Sequence, residues 1–151
     1  MKNRPKIFAV ASGGGHWIQL LRLQPAFAGC RVTFVTVDGT CSEDVAPDKF
    51  FTIPDANRQT KIRLLFLTLK ILWLLVRVRP DCVLSTGAAP GYIAVRLGKV
   101  LRMRTLFIDS VANAERLSLS AHLALKHADL TLTQWSHLSN DSGAAFKGSL
   151  L

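Results

Sequence analysis

With 151 residues, 49% of them apolar, and a positive mean hydropathy, the chain is long enough to bury a core and too apolar to be disordered. Its formal charge of +9 is unevenly spread, with ten Lys or Arg residues between Ala56 and Arg104 against one acid, Asp81. That stretch suits an anionic partner: nucleic acid, membrane lipid or a phosphorylated substrate. Cys30, Cys41 and Cys82 form no CxxC pair and point to neither a zinc site nor a disulfide framework, which leaves reduced thiols in a cytosolic protein.

After the basic start MKNRPK, the apolar run Ile7–Ala11 is too short for a signal peptide and reads as a strand. It passes into Ser12-Gly13-Gly14-Gly15-His16-Trp17, a glycine turn that opens a helix over Trp17–Gln24. Glycines there let backbone approach a ligand closely, and the helix offers unpaired N–H groups and the positive end of its dipole to an anion. His16, at the mouth of the turn, can donate, accept or take up a proton near neutral pH. The same glycines also fit a turn that is merely tightly packed.

Strands are expected next at Val32–Val37 and Phe50–Ile53, followed by a helix over about 59–78. From Leu64 to Val76 that helix is apolar apart from Thr68 and Lys70, which is shorter than the roughly 20 residues that span a bilayer. Arg63, Lys70 and Arg77 recur every seven residues and form one cationic stripe beside Phe66, Trp73 and the aliphatic residues. Such a helix suits a membrane interface, cations on anionic headgroups and apolar side chains in the acyl boundary. Burial against a partner subunit is the alternative.

Further strands follow at Asp81–Ser85, Thr105–Ile108 and Leu130–Thr133, with helices at Gly91–Leu101 and about Leu117–His127. The alternation predicts one α/β domain with a Rossmann-like parallel sheet and helices on both faces. Ligands of such sheets bind outside the carboxyl ends of the strands. The glycine turn, Ser85–Gly91 and Ile108–Ser110 all fall at those ends.

Four motifs occur in order: GGGHW after the first strand, STGAAPG after Pro80-Asp81-Cys82-Val83, FIDSVANAERLSLS at Phe107–Ser120 and ADLTLTQWSHL at Ala128–Leu138. Together they resemble the membrane-anchoring, acceptor-binding subunit of two-part glycosyltransferases. That family includes the eukaryotic subunit that helps add the second N-acetylglucosamine to dolichol-diphosphate, and bacterial exopolysaccharide and capsule subunits. The resemblance implies a fold equivalent to the N-terminal, acceptor-side half of a GT-B glycosyltransferase. It also implies a small donor-binding partner subunit that holds most of the UDP-sugar, a polyprenyl-diphosphate-linked saccharide as acceptor, and a place on the cytoplasmic face of the inner membrane. No cofactor is expected on this chain. Ile108-Asp109-Ser110 stands where the eukaryotic pattern has Ile-Glu-Ser, Asn113 where it has Arg, and Ala121 where it has Gly, and the Asp-Ser…Ala-Asn-Ala-Glu form resembles a bacterial branch.

Inverting glycosyl transfer needs a base for the acceptor hydroxyl and donors for the leaving diphosphate. His16 is that base, a ligand of the acceptor or a capping histidine without chemistry; Asp109 and Glu115 are rival bases, and Asp109 fits a structural carboxylate capping the next turn equally well. Ser12, Gly13, Gly14, Gly15, Thr86, Gly87, Ser110, Asn113 and Glu115 are candidate contacts to acceptor or diphosphate, with Arg116 a further polar contact. Ser118 and Ser120 suit helix capping. The resemblance puts Gln134 and Trp135 at a cleft or partner edge, a buried Trp with a single indole hydrogen bond being the alternative for Trp135, and Leu150 and Leu151 are expected against the partner. His122, His127 and His137 lack metal-ligand spacing and no DxD-type motif occurs, so no metal site is expected. The competing function is a non-catalytic membrane scaffold that recruits a catalytic partner. Nucleic-acid binding is disfavoured, because many of the cations lie on a Leu/Ile helix and no recognition motif is present.

Overall fold

The computed structural model describes residues 4–56 and 61–150. Seven strands form one parallel sheet: β1 (Lys6–Val10), β2 (Arg31–Thr36), β3 (Lys49–Thr52), β4 (Cys82–Ser85), β5 (Arg104–Ile108), β6 (Leu130–Thr133) and β7 (Ala145–Phe146). Their spatial order is β3-β2-β1-β4-β5-β6-β7. The helices are α1 (Gly15–Arg22), α2 (Lys61–Val78), α3 (Ala88–Val100), α4 (Leu119–Ala124) and α5 (Ser136–Ser142). The predicted doubly covered parallel sheet is thus the observed one. The first two residues of the helix expected over 59–78 lie outside the described residues.

Side chains along a strand alternate between faces, and β1 shows why both faces must be covered. Phe8 and Val10 enter a core with Leu67, Ile71, Leu74 and Leu75 of α2, Ala94 and Val95 of α3, and Ala121 and Ala124 of α4. Ala9 and Ala11 point the other way, into a core with Trp17 and Leu20 of α1. Trp17 meets Phe34 and Phe50 edge-on, with ring centroids 6.0 and 6.1 Å away, and its indole N–H donates to Asp44 Oδ2 at 2.9 Å. This residue of the glycine motif therefore nails α1 to the sheet.

Helices α1 and α3 begin two and three residues earlier than the sequence pattern predicts, because glycine-containing turns feed them directly. α4 is shorter than the span Leu117–His127: Leu117 and Ser118 belong to the loop that caps it. α5, β7 and 3₁₀ turns at Gln24–Phe27 and Gly39–Val45 were not anticipated. The sequence SHLSNDS of α5 has no apolar stripe, and a two-residue strand has no period to detect. The three cysteines are free, and burial pushes the Cys41 and Cys82 thiols up.

Helix α3 approaches β4 through glycine. A Cβ at Gly91 would lie 1.8 Å from Ser85 Oγ, and one at Gly98 would lie 2.8 Å from Val83 Cγ2 and 3.3 Å from Thr105 Cγ2. Gly98→Ala is therefore expected to lower stability by about 1–3 kcal/mol through overpacking. Gly15→Ala, which would meet nothing within 4 Å, is expected to leave the melting temperature unchanged or slightly raised. Thermal melts followed by circular dichroism compare the two directly.

Candidate functional site

From β1 the chain moves to β2 on one side, and from α2 it arrives at β4 on the other, so the sheet order reverses between β1 and β4. A crevice opens at that point beyond the carboxyl ends of the strands, the usual ligand position in an open α/β sheet. Two helix starts meet there: α1 after the glycine turn, and α3 after the Thr86-Gly87 turn. Neither is capped by a side chain, and neither has an acid in its first turn. Two sets of helix-terminal N–H groups and two positive dipole ends are left for an anion.

The glycines divide into two kinds. Gly14 needs its lack of a Cβ for its backbone, with φ 65°, as it serves as N-cap of α1. Yet a Cβ at Gly14 or Gly15 would meet nothing within 4 Å, and one at Gly13 would make only ordinary contact with Val37 at 3.7 Å. Tight packing, the alternative reading of this turn, is not its purpose. The space above it is open, unlike that around Gly91 and Gly98.

Gly87 is different again. At φ 136° its missing Cβ would sit 2.5 Å from His16 Nδ1, so the imidazole occupies the room that glycine leaves. His16 Nδ1 lies 2.9 Å from the Thr86 carbonyl oxygen, and Thr86 Oγ1 donates to the His16 carbonyl at 2.7 Å. A carbonyl only accepts, so Nδ1 carries the hydrogen and the neutral ring keeps its free lone pair on Nε2. Thr86 is fully buried and its hydroxyl hydrogen is used on His16, so this hydroxyl is not offered to a ligand as the sequence suggested. It ties the two turns together instead.

Asp109 takes the structural one of its two readings. It is 2% exposed, Oδ1 accepts from Asn113 Nδ2 and Oδ2 from the Ser118 N–H, both at 2.9 Å. Both oxygens are turned into the chain and hold the loop 109–118, so the carboxylate positions this loop and is not placed as a base. Ser110 Oγ accepts from Gln19 Nε2 at 3.0 Å and from the Ala112 N–H at 3.2 Å, leaving its own hydrogen for the crevice. Asn113 keeps its amide oxygen and one N–H. Ser118 Oγ accepts from the Ala121 N–H at 3.0 Å, the expected helix cap.

Ser12, His16, Asp55, Pro90, Ser110, Asn113, Ser118 and Ser120 line one cleft of about 610 Å³, within the range of small-molecule sites. Arg116 lines an adjoining hollow with Asn113 and His122, whereas Glu115 is exposed and lines neither. Among the described residues no three His, Cys, Asp or Glu side chains cluster closely enough to hold a metal ion.

Two residues escaped the sequence reading. Asp55 lies just past β3, where nothing in the sequence marks a loop carboxylate as cleft-lining. Gln19 is buried in α1: its Nε2 donates to Ser110 Oγ, while Oε1 accepts from the Val111 N–H at 3.1 Å and from Gln134 Nε2 at 2.6 Å. A lone glutamine on the buried face of an amphipathic helix was the available signal. Gln134, expected at a cleft or partner edge, is buried and also bonds Asp109 O at 2.9 Å and the Leu150 N–H at 2.8 Å. Its polar atoms are thus spent within the chain. Trp135 is half-buried and donates to Val111 O at 2.8 Å. Leu150, expected against a partner, is held by its own chain: Arg22 also donates to its carbonyl. Leu151 lies outside the described residues.

Of the surface residues, Arg63, Phe66, Lys70, Trp73 and Arg77 are all exposed on α2. Ile62, Leu65, Phe66, Leu69, Trp73 and Val76 are each at least half exposed and form one stripe opposite the buried Leu67, Ile71, Leu74 and Leu75. The three cations flank that stripe. No helix among the described residues is long and apolar enough to cross a membrane.

The fold is that of the N-terminal half of GT-B glycosyltransferases. MurG of Acinetobacter baumannii is similar over 95% of this chain and 45% of its own, at TM-score 0.77 and 12% identity. A UDP-N-acetylglucosamine 2-epimerase from Rickettsia bellii is similar over 98% of this chain and 46% of its own, at TM-score 0.77 and 16% identity. The Neisseria meningitidis UDP-GlcNAc 2-epimerase, solved bound to UDP-GlcNAc, matches at TM-score 0.58 and 12% identity over 85% of this chain and 40% of its own. The chain spans less than half the length of these solved structures. No curated protein sequence matches it. The sequence profile described as "Oligosaccharide biosynthesis protein Alg14 like" matches residues 48–150, about two thirds of the chain. The chain belongs to the Alg14-like family of oligosaccharide biosynthesis proteins.

Proposed function

We propose that this chain is the acceptor-binding subunit of a membrane-associated glycosyltransferase that moves a sugar from a UDP-sugar to a polyprenyl-diphosphate-linked saccharide. The acceptor's diphosphate lies over Gly13–Gly15, at the converging starts of α1 and α3, and its saccharide lies in the cleft beside Ser110 and Asn113. A second, donor-binding protein covers the cleft and holds the UDP-sugar, so this chain alone turns over little. The observation that carries the reading is the open space above the glycine turn next to His16. Family membership and half-length similarity to two-domain sugar-nucleotide proteins support it.

In the transfer, the acceptor hydroxyl oxygen forms a bond to the anomeric carbon as the bond from that carbon to the UDP oxygen breaks. The proton leaves the hydroxyl for His16 Nε2, the nitrogen that the Thr86 carbonyl leaves free. UDP departs with the electron pair, on the partner's side. The stripe on α2 rests in the cytoplasmic leaflet of the membrane, bringing the cleft to the height of the lipid-linked diphosphate. The Asp-Ser…Ala-Asn-Ala-Glu motif fits exopolysaccharide, capsule or glycolipid assembly as the setting.

His16→Ala in the reconstituted pair is expected to cut turnover by about 10²–10⁴-fold with assembly intact. Full turnover in that variant would instead favour a scaffold that contributes no reacting group. Asp109→Asn turns one acceptor oxygen into a donor facing another donor, and is expected to cost about 1–3 kcal/mol of stability. Loss of turnover at an unchanged melting temperature would return Asp109 to the role of base.

A further inference from the structure

A second cavity, also of about 610 Å³, lies at the opposite end of the sheet from the cleft. It is lined by Arg4, Lys6, Arg31, Lys49 and Arg77, with Asp48 as the lining acid. Strand parity explains the concentration of charge. Lys6 shares a face with Phe8 and Val10, Arg31 with Thr33 and Val35, and Lys49 with Phe51, so all three point to the α2 side of the sheet. Lys6 and Arg31 are direct partners in the ladder, and Lys49 pairs with Thr33, two residues further along β2 on the same face.

Lys6 and Arg31 therefore bring like charges side by side, a repulsion that an anion between them would offset. Among the described residues the ion pair formed is Lys99 with Asp129, and none of these five cations takes part in it. The nearby Asp81 carboxylate accepts the Lys6 backbone N–H at 2.8 Å. A concave, five-cation surface focuses potential on any phosphate that enters.

The groove is continuous with the apolar stripe of α2 through one side chain. The Arg77 guanidinium stacks 5.4 Å from the Trp73 ring centroid on the stripe, with Lys70 Nζ 5.0 Å from the same ring, and Arg77 also lines the groove. An interfacial Trp marks the depth at which headgroups begin. We propose that this groove receives the phosphates of anionic phospholipid headgroups in the leaflet on which α2 rests. The inference builds on the proposed membrane docking of α2, and adds to it a lipid-selective site formed by β1, β2 and β3.

Flotation of the 151-residue chain on phosphatidylcholine vesicles, with and without phosphatidylglycerol, tests both levels separately. Arg31→Gln/Lys49→Gln is expected to bind pure phosphatidylcholine as wild type does. It should lose about 25-fold of the wild-type gain from phosphatidylglycerol, roughly five-fold for each cation removed. Phosphatidylglycerol vesicles should also shield wild-type Lys49 from amine acylation, where phosphatidylcholine vesicles do not. Full retention of the phosphatidylglycerol gain by the folded groove variant, or unshielded Lys49, overturns the groove assignment alone. Phe66→Ala/Trp73→Ala floating on phosphatidylcholine as well as wild type overturns the docking of α2. If inorganic phosphate raises the wild-type melting temperature through Arg31 and Lys49 while vesicle binding ignores composition, the ligand is a free phosphate and the lipid assignment fails.

Discussion

Two reciprocal hydrogen bonds hold the functional end of this molecule together. His16 donates from Nδ1 to the Thr86 carbonyl, and Thr86 donates from its hydroxyl to the His16 carbonyl. They fasten the turn after β1 to the turn after β4, two segments 70 residues apart in sequence, across the point where the sheet order reverses. Gly87 makes the fastening possible by leaving the volume that the imidazole fills. One contact thus sets the spacing of two helix starts, fixes which imidazole nitrogen is basic, and leaves the glycine turn uncovered.

A layer of buried amide groups supports that arrangement from beneath. Gln19 on α1 joins Ser110 and Val111 after β5 to Gln134 after β6, and Gln134 continues to the Leu150 backbone. Asp109 then shapes the next loop through Asn113 and Ser118. Because these groups are buried, each lost partner leaves an unsatisfied polar atom, so the network behaves as a unit. The loop that carries Ser110 and Asn113 to the cleft is thus tied to the sheet through Gln19 and Asp109.

Most of the fold is legible in the sequence, since apolar runs, glycine turns and helical stripes alternate with the spacing of a parallel sheet. β7 and α5 are not, for they are made by docking onto β6 and carry no pattern of their own. At the candidate site, the position of the glycine turn and His16 beyond β1 is readable, because a glycine run between a strand and a helix falls at the strand's carboxyl end. The roles of Thr86 and Asp109 are not readable. A hydroxyl or carboxylate at a strand end serves equally for ligand contact or for bonding its own backbone, and only burial and the partner atoms decide. Gln19 and the cationic groove are hidden for a related reason: each is assembled from positions brought together by strand register and helix packing, far apart in the chain. On α2, by contrast, seven-residue spacing already placed Arg63, Lys70 and Arg77 together, and the folded helix keeps them beside an exposed apolar stripe.

The two surfaces offer an anion different physics: one has backbone N–H groups and room, the other fixed cations beside an apolar helix. The decisive question is whether the glycine turn receives a diphosphate. Amide resonances of isotopically labelled chain, titrated with a short-chain prenyl diphosphate, answer it most directly. Saturable shifts at Gly14, Gly15, His16, Gly87 and Ala88 together, abolished in Gly15→Asp, are the expected result. Shifts confined to the Lys6–Arg31 end of the sheet, or none at all, would contradict the assignment.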